Sequence, residues 1–487
     1  MKISYISTTI IFLRSISVTS AFTTTFQDYR RTSSSSVLYE STHEICVLGG
    51  GFGGLNTALT LSSLPFPEEK KPTITLVDNK ERFVFLPLLY ELCVGDASLD
   101  EVAPTFESLL DGTGIKFEQA SVAGIDADQQ NIYLENKEKL KYDSLVVATG
   151  ASVNLEFIKG AEKYALPFYT LDDCLELKKR LTFLDALIAT STSKEELNVV
   201  IVGGGYSGVE LALNMKERLG SYENLNVTIV HRGNEILEYA TDFNRNTGVR
   251  RLEDNGVKTL TGVSVVEVLE LESESQNDFS ELKGRCKIVV ENGSSKEQDI
   301  LNADLLLWTA GSMSTNVQKG ILNSKLPRDA SGRLVTDSYL KVKDYDNIFA
   351  LGDCARVKKV PFGATAAVAM QQAPCAAWNV YSQVMLNDED IKEGEKENLQ
   401  PIPFSYLNLG EMMTLGGDDA TISSMGVVEV NGIAASVLRR IIYAVRMPTL
   451  QQGLTAAISS SSKRFESVLS SSSKKSGGKS KKIITWK

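Results

Sequence analysis

Two glycine-rich turns carry the residue types and spacing that do chemistry in this chain: Gly49-Gly50-Gly51-Phe52-Gly53-Gly54 and Gly203-Gly204-Gly205-Tyr206-Ser207-Gly208. In each, the first glycine permits a tight turn, the second lets backbone approach a pyrophosphate, and the third lets a helix pack on the preceding strand. The helix N-terminus adds unpaired N–H groups and a positive dipole end for phosphates. Apolar runs at 44–48 and 199–202 lead into the turns, and second apolar runs, 73–77 and 227–230, follow at nearly equal distances. This strand-turn-helix-strand context predicts two bound dinucleotides, one over Gly49, Gly51 and Gly54 and one over Gly203, Gly205 and Gly208.

The residues that end the second strands differ in chemistry. Asp78 closes the first, where a carboxylate can accept hydrogen bonds from a ribose diol, as the adenosine half of FAD requires. His231 and Arg232 occupy the equivalent place in the second. A missing carboxylate and an added cation predict a nicotinamide site that accepts NADPH as well as NADH.

Other redox centres are disfavoured by composition. The six cysteines, at 46, 93, 174, 286, 354 and 375, form neither a C-x-x-C nor a closely paired motif, and only two histidines, His43 and His231, are present. A redox-active disulfide, a metal site and an iron–sulfur cluster are therefore not expected. Cys354 reads as a small buried thiol.

The elements that must position these residues follow from the same patterns. At 487 residues the chain suits two or three domains, and alternating strand and helix signals predict an α/β protein with doubly wound parallel sheets. Polar stretches at 270–284 and 387–399 read as exposed loops. Asn347–Ala355, a buried-strand run ending in Gly352-Asp353, resembles the second FAD motif of the two-dinucleotide flavoprotein reductases. Val146-Val147-Ala148-Thr149-Gly150 and Leu307-Trp308-Thr309-Ala310-Gly311 resemble the strand ends that close that family's FAD and nicotinamide domains. The resemblance implies two Rossmann-like domains: FAD-binding over 43–165 and 330–400, NAD(P)H-binding over 166–329. It also implies cofactor contacts from Asp353, Thr149, Gly150 and Gly311. Residues 401–487 are left as a C-terminal membrane-associated segment on the quinone side.

A narrower resemblance concerns the electron acceptor. Phe83–Glu91 is similar to the F-x-F-x-P-L-L-x-E segment of type II NAD(P)H dehydrogenases, single-subunit flavoproteins that reduce membrane quinones without pumping protons. Ala364–Gln372 is similar to their quinone-tunnel helix, with Ala367 where the family usually has glutamine, and Asn408–Gly416 resembles a segment of the plant and cyanobacterial C-type branch. The family implies hydride transfer from NAD(P)H to the flavin and then two electrons to a prenylquinone near Gln371 and Gln372. Pro374 interrupts the helical pattern and should kink or restart it. Glu210 falls on the first turn of the second turn's helix, where a carboxylate suits the dipole. The resemblance implies a further role for it, between nicotinamide and flavin.

Both termini bear on location. Residues 433–487 hold eleven Lys or Arg against one acid, Glu466, in a chain of net charge −10. At helical period Ser436, Arg439, Arg440, Tyr443 and Arg446 share one side, while Ile433, Val437, Leu438, Ile441, Ile442 and Val445 take the rest. That pattern predicts an interfacial helix with a basic flank on a membrane surface, too short and too charged to span. Residues 1–42 read as a targeting presequence, and Ser20-Ala21-Phe22 resembles the cleavage signature of complex-plastid presequences. A plastid location, at the thylakoid membrane or a plastoglobule surface, is expected, with the mitochondrial inner membrane as alternative. No nucleic-acid partner is expected, and a homodimer stays open. The rival functions are sulfide-quinone oxidoreductase, reductase of a soluble carrier, and a non-catalytic lipid-surface flavoprotein.

Overall fold

The computed structural model describes residues 43–448 except 191–195, 272–284, 315–324 and 359–361. The presequence, most of the polar stretch at 270–284 and the basic tail beyond 448 lie outside the described residues. The first unit runs β1 (Glu44–Leu48), α1 (Phe52–Ser63), β2 (Thr73–Asp78), β3 (Lys116–Gln119) and β4 (Ser144–Val147). A second follows with β5 (Leu166–Pro167), α2 (Leu171–Thr190), β6 (Leu197–Val202), α3 (Tyr206–Arg218), β7 (Leu225–His231), α4 (Asp242–Asp254), β8 (Lys258–Thr261) and β9 (Leu305–Trp308). The chain then makes β10 (Ile348–Ala350), α5 (Ala366–Leu386), β11 (Glu411–Thr414), β12 (Ala420–Ser424), β13 (Val428–Asn431) and α6 (Ile433–Val445).

Two five-stranded parallel sheets result, in the orders β10-β4-β1-β2-β3 and β8-β7-β6-β9-β5. Their central strands are continuous apolar runs because both faces are covered, so Ile45, Val47, Leu48, Val199 and Ile201 are fully buried. In both sheets the strand leading into the glycine turn pairs with the second strand of its unit, Leu48 opposite Val77 and Val202 opposite Val230. The two turns thus stand at the carboxyl ends of their sheets, where ligands of open α/β folds bind. Strand β10 brings Asp353 back to the first turn.

Helix α5 does not restart at Pro374: it runs from Ala366 to Leu386 with that proline inside. Its small inner face, Ala369, Ala373, Ala376, Ala377 and Val380, packs along α1, and that burial holds the helix together across the hydrogen bond that proline cannot donate. Thr365 caps its start by accepting from the Val368 N–H. The stretch 387–399 is exposed, as its polarity predicts, and contains the short helices Glu393–Lys396 and Glu397–Leu399, neither with a buried residue.

Candidate active site

Each glycine turn is shaped by what a side chain would strike. A Cβ on Gly54 would meet the Gly49 carbonyl at 1.8 Å, and one on Gly208 the Gly203 carbonyl at 1.8 Å. Gly51 and Gly205 are different: a Cβ there would meet nothing within 4 Å. Both are N-caps without a side-chain hydrogen bond, so the first-turn N–H groups of α1 and α3 face clear space. The residues present therefore fit a dinucleotide pyrophosphate at each turn.

The strand-end residues do matching structural work. The Gly50 N–H donates to Asp78 Oδ2 at 2.6 Å, and the Gly204 N–H donates to His231 Nδ1 at 3.1 Å. Burial holds the His231 imidazole below its ordinary range, with Arg232 acting in the same sense and Glu238 opposing. The neutral ring accepts at Nδ1 and carries its proton on Nε2. The loop after β7 folds back on the turn, its Leu237 N–H donating to the Gly204 carbonyl at 2.8 Å. It brings a carboxylate to this corner: a Cβ on Gly233 would lie 2.6 Å from His231 Nε2 and 3.3 Å from Glu238 Oε2. The premise that this strand end lacks a carboxylate does not hold, because Glu238 comes from seven residues further on.

The remaining cofactor candidates gather at the first turn. A Cβ on Gly49 would press on the Ala148 carbonyl and Thr149 Cα, so Thr149 and Gly150 adjoin it. Asp353 accepts from the Tyr169 hydroxyl at 3.4 Å, and burial raises its pKa. Cys354 is fully buried, donating to the carbonyls of Val147 and Leu351. Gly311 takes a left-handed φ of 75° and leads into Ser312–Ser314, which pairs with Ala151–Val153 and links the two units. Cys93 and Cys174, far apart in sequence, meet thiol to thiol in the core, and all six cysteines are free and buried.

Gln371 and Gln372 are both engaged with backbone. Gln372 is buried and accepts from the Gly352 N–H at 2.8 Å, holding the turn that presents Asp353. Gln371 donates to and accepts from Leu407 backbone, both at 3.0 Å.

Glu210 sits beyond the first turn of α3, and it does not cap the helix. Its Oε1 accepts from the Thr414 N–H at the end of β11, at 2.9 Å, and it also hydrogen-bonds Tyr90. Burial pushes its pKa up to about 7, against the pull of Arg439, the Thr414 N–H and Tyr90. Beside it lies an ion pair: Arg439 Nη1 meets Glu91 Oε1 at 2.6 Å, with exposures of 2% and 8%. Arg439 Nη2 donates to the Pro87 carbonyl at 2.8 Å, and the guanidinium stacks over Tyr443. Burial opposes the Arg439 charge, but the Glu91 carboxylate, with Tyr443 and Glu210, raises its pKa above the usual arginine value.

Helix α6 turns its aliphatic row outward, as an interfacial helix requires, but its polar side is packed in the core and not left as an exposed basic flank. Ser436, Arg439 and Tyr443 face inward, and Tyr443 meets Phe85 edge-on at 5.4 Å. Ile433, Val437, Ile441 and Val445, spaced four apart, point outward with exposures of 67%, 41%, 55% and 56%. Electrostatics explains this orientation: Glu91 is buried, and the polar stripe supplies Arg439 as its cation. Among the described residues no helix is long and apolar enough to cross a membrane. Glu411 ties the same C-terminal unit to the second turn, accepting from the Tyr206 hydroxyl and, at 2.9 Å, from the Thr241 N–H. Arg439, Thr414, Glu411 and Glu238 escaped the sequence reading. The one available signal was an arginine amid Ala435, Ser436 and Tyr443 at inward spacing.

Comparison with known proteins agrees with this geometry. A family model described as pyridine nucleotide-disulphide oxidoreductase matches residues 43–377. Demethylphylloquinone reductase NdbB of Synechocystis sp. is 37% identical over 421 residues, covering 85% of this chain and 94% of its own. The alternative NAD(P)H-ubiquinone oxidoreductase C1, chloroplastic/mitochondrial, of Arabidopsis thaliana is 36% identical, covering 85% and 80%. The structure of NDH2 from Plasmodium falciparum in complex with NADH superposes with a TM-score of 0.70 at 21% identity, covering 86% and 97%.

Proposed function

The chain belongs to the pyridine nucleotide-disulphide oxidoreductase family, among its type II NAD(P)H:quinone oxidoreductases, and from that premise we propose which residues serve the reaction and where it occurs. The protein is an FAD-dependent enzyme that oxidises NAD(P)H and reduces a quinone. Bound FAD supplies the two-electron chemistry. Gly49, Gly51, Gly54, Asp78, Thr149, Gly150 and Asp353 hold it, and Gly203, Gly205, Gly208, His231, Arg232 and Gly311 line the NAD(P)H site. Gln372 and Gln371 position the Asp353 turn and the 401–410 segment. Glu210, out of water and hydrogen-bonded by Thr414 and Tyr90, orients the nicotinamide ring and holds a proton near neutral pH.

The observation that carries the membrane side of this reading is α6, apolar outward and clamped to the Phe83–Glu91 segment inward. A row of four exposed branched aliphatic residues supports insertion into the surface of a bilayer or lipid droplet and access for a prenylated quinone. The chloroplastic/mitochondrial name of the Arabidopsis relative supports an organellar setting, and we assign the chain to a plastid membrane or plastoglobule surface. Anaerobic mixing of the FAD-loaded protein with NADH or NADPH should bleach the flavin, and a panel of prenylated benzo- and naphthoquinones should restore its colour. Failure to bleach rejects the NAD(P)H assignment, and bleaching without quinone-driven recovery rejects the acceptor.

A further inference from the structure

The corner of the nicotinamide turn that would meet the adenosine ribose holds an unusual division of labour. In the first turn Asp78 accepts from the Gly50 N–H through Oδ2 and from the Lys80 N–H at 2.8 Å through Oδ1, and a carboxylate oxygen can accept more than one donor. In the second turn the strand-end residue is an imidazole whose one acceptor nitrogen is already taken by the Gly204 N–H. His231 thus braces the turn and has no lone pair left for a ribose hydroxyl. The acceptor nearest at hand is the Glu238 carboxylate, beside the imidazole edge over Gly233.

Its place is set by backbone. Arg245 on α4 donates through Nη2 to the Glu238 carbonyl at 2.9 Å and the Ala240 carbonyl at 3.1 Å, and through Nε to the Leu237 carbonyl at 3.2 Å. Leu237 adopts a left-handed φ of 57° so that its N–H can reach Gly204. The neighbouring carboxylate, Glu235, faces Arg245 at 3.6 Å instead. The chain therefore fixes Glu238, and no other acid of this loop, next to the strand end.

We propose that Glu238 is the specificity-determining residue of the nicotinamide site: it accepts the adenosine ribose diol in place of the strand-end residue and repels a 2′-phosphate. This rests on the second turn being the NAD(P)H site. The consequence is a preference for NADH, with Arg232 opposing it at the strand end. Two phosphate charges held about 6 Å from a carboxylate in water-like surroundings cost roughly tenfold in affinity.

The test is binding of ADP-ribose and 2′-phospho-ADP-ribose to the FAD-loaded protein, followed by calorimetry, so that no turnover is needed. The parent protein should bind ADP-ribose about tenfold tighter. Glu238→Gln should bring the two affinities together, Glu238→Arg should reverse their order, and Glu235→Gln should leave the ratio unchanged. Circular dichroism checks that these exposed-loop variants fold. An unchanged ratio in both Glu238 variants, or a parent that prefers the phosphorylated ligand, overturns the proposal. Binding of neither ligand by the parent protein would instead sink the assignment of the second turn.

Discussion

Replacing Glu210 with glutamine isolates the energetic cost of a buried carboxyl at the hydride end of the enzyme. Gln keeps an oxygen to accept the Thr414 N–H and removes the titration. In the folded protein burial pushes the Glu210 pKa from 4.5 to about 7. Because the folded value lies above the unfolded one, the native protein retains this proton between those pH values while the unfolded chain has released it. The contribution of the carboxyl is thus complete below pH 4.5 and is lost as pH rises through 7. At 1.36 kcal/mol per unit, the wild type should lose about 3 kcal/mol relative to the variant across that window. Urea unfolding of both FAD-loaded proteins at several pH values from 5 to 8 measures the difference. The glutamine variant should gain on the wild type by about 1.4 kcal/mol per pH unit up to pH 7 and then level off. A difference that is flat over this range, or that shrinks as pH rises, would refute the reasoning.

Three further outcomes are expected. Arg439→Met should destabilise the protein by about 3–5 kcal/mol, because it leaves Glu91 charged and buried, whereas Glu91→Leu with Arg439→Met should recover most of that loss; denaturant midpoints measure both. Gly51→Ala should fold normally, since its Cβ meets no protein atom, and yet retain less FAD, while Gly54→Ala should disrupt the turn itself; flavin content and melting temperature separate the two. Ile441→Asp with Val445→Asp should abolish flotation with liposomes while leaving oxidation of NADH by a short-chain water-soluble quinone intact, and equal flotation would count against α6 as the docking face.

Local spacing made the cofactor scaffold legible in the sequence. Glycine turns, flanking apolar runs and the Gly352-Asp353 return all act within a few residues of one another, and their steric needs leave few alternatives. For the C-terminal helix, periodicity identified two faces without saying that the polar one packs into the core. Hydrophobicity alone puts the aliphatic side inward, but Glu91, some 350 residues earlier, reverses the choice by demanding a buried partner. Pro374 does not restart its helix because its local cost is outweighed by the alanine-rich packing of α5 on α1. The carboxylate at the nicotinamide corner was hidden because Glu238 reaches the strand end through a folded loop, at no spacing that a linear motif encodes.

The hydrogen bond from the Thr414 N–H to Glu210, with the reach of Glu411 to Tyr206 and Thr241, ties the stretch of chain that carries the outward aliphatic face of α6 to the proposed hydride site as well. A stop or proteolytic cut after Gly410 would not release a soluble, working reductase. It would leave Glu91 without Arg439 and Glu210 without the Thr414 N–H. The proposed lipid face and the proposed hydride site thereby share the same few turns of polypeptide, so removal of this stretch costs both while substitutions on the outer face of α6 cost only the first.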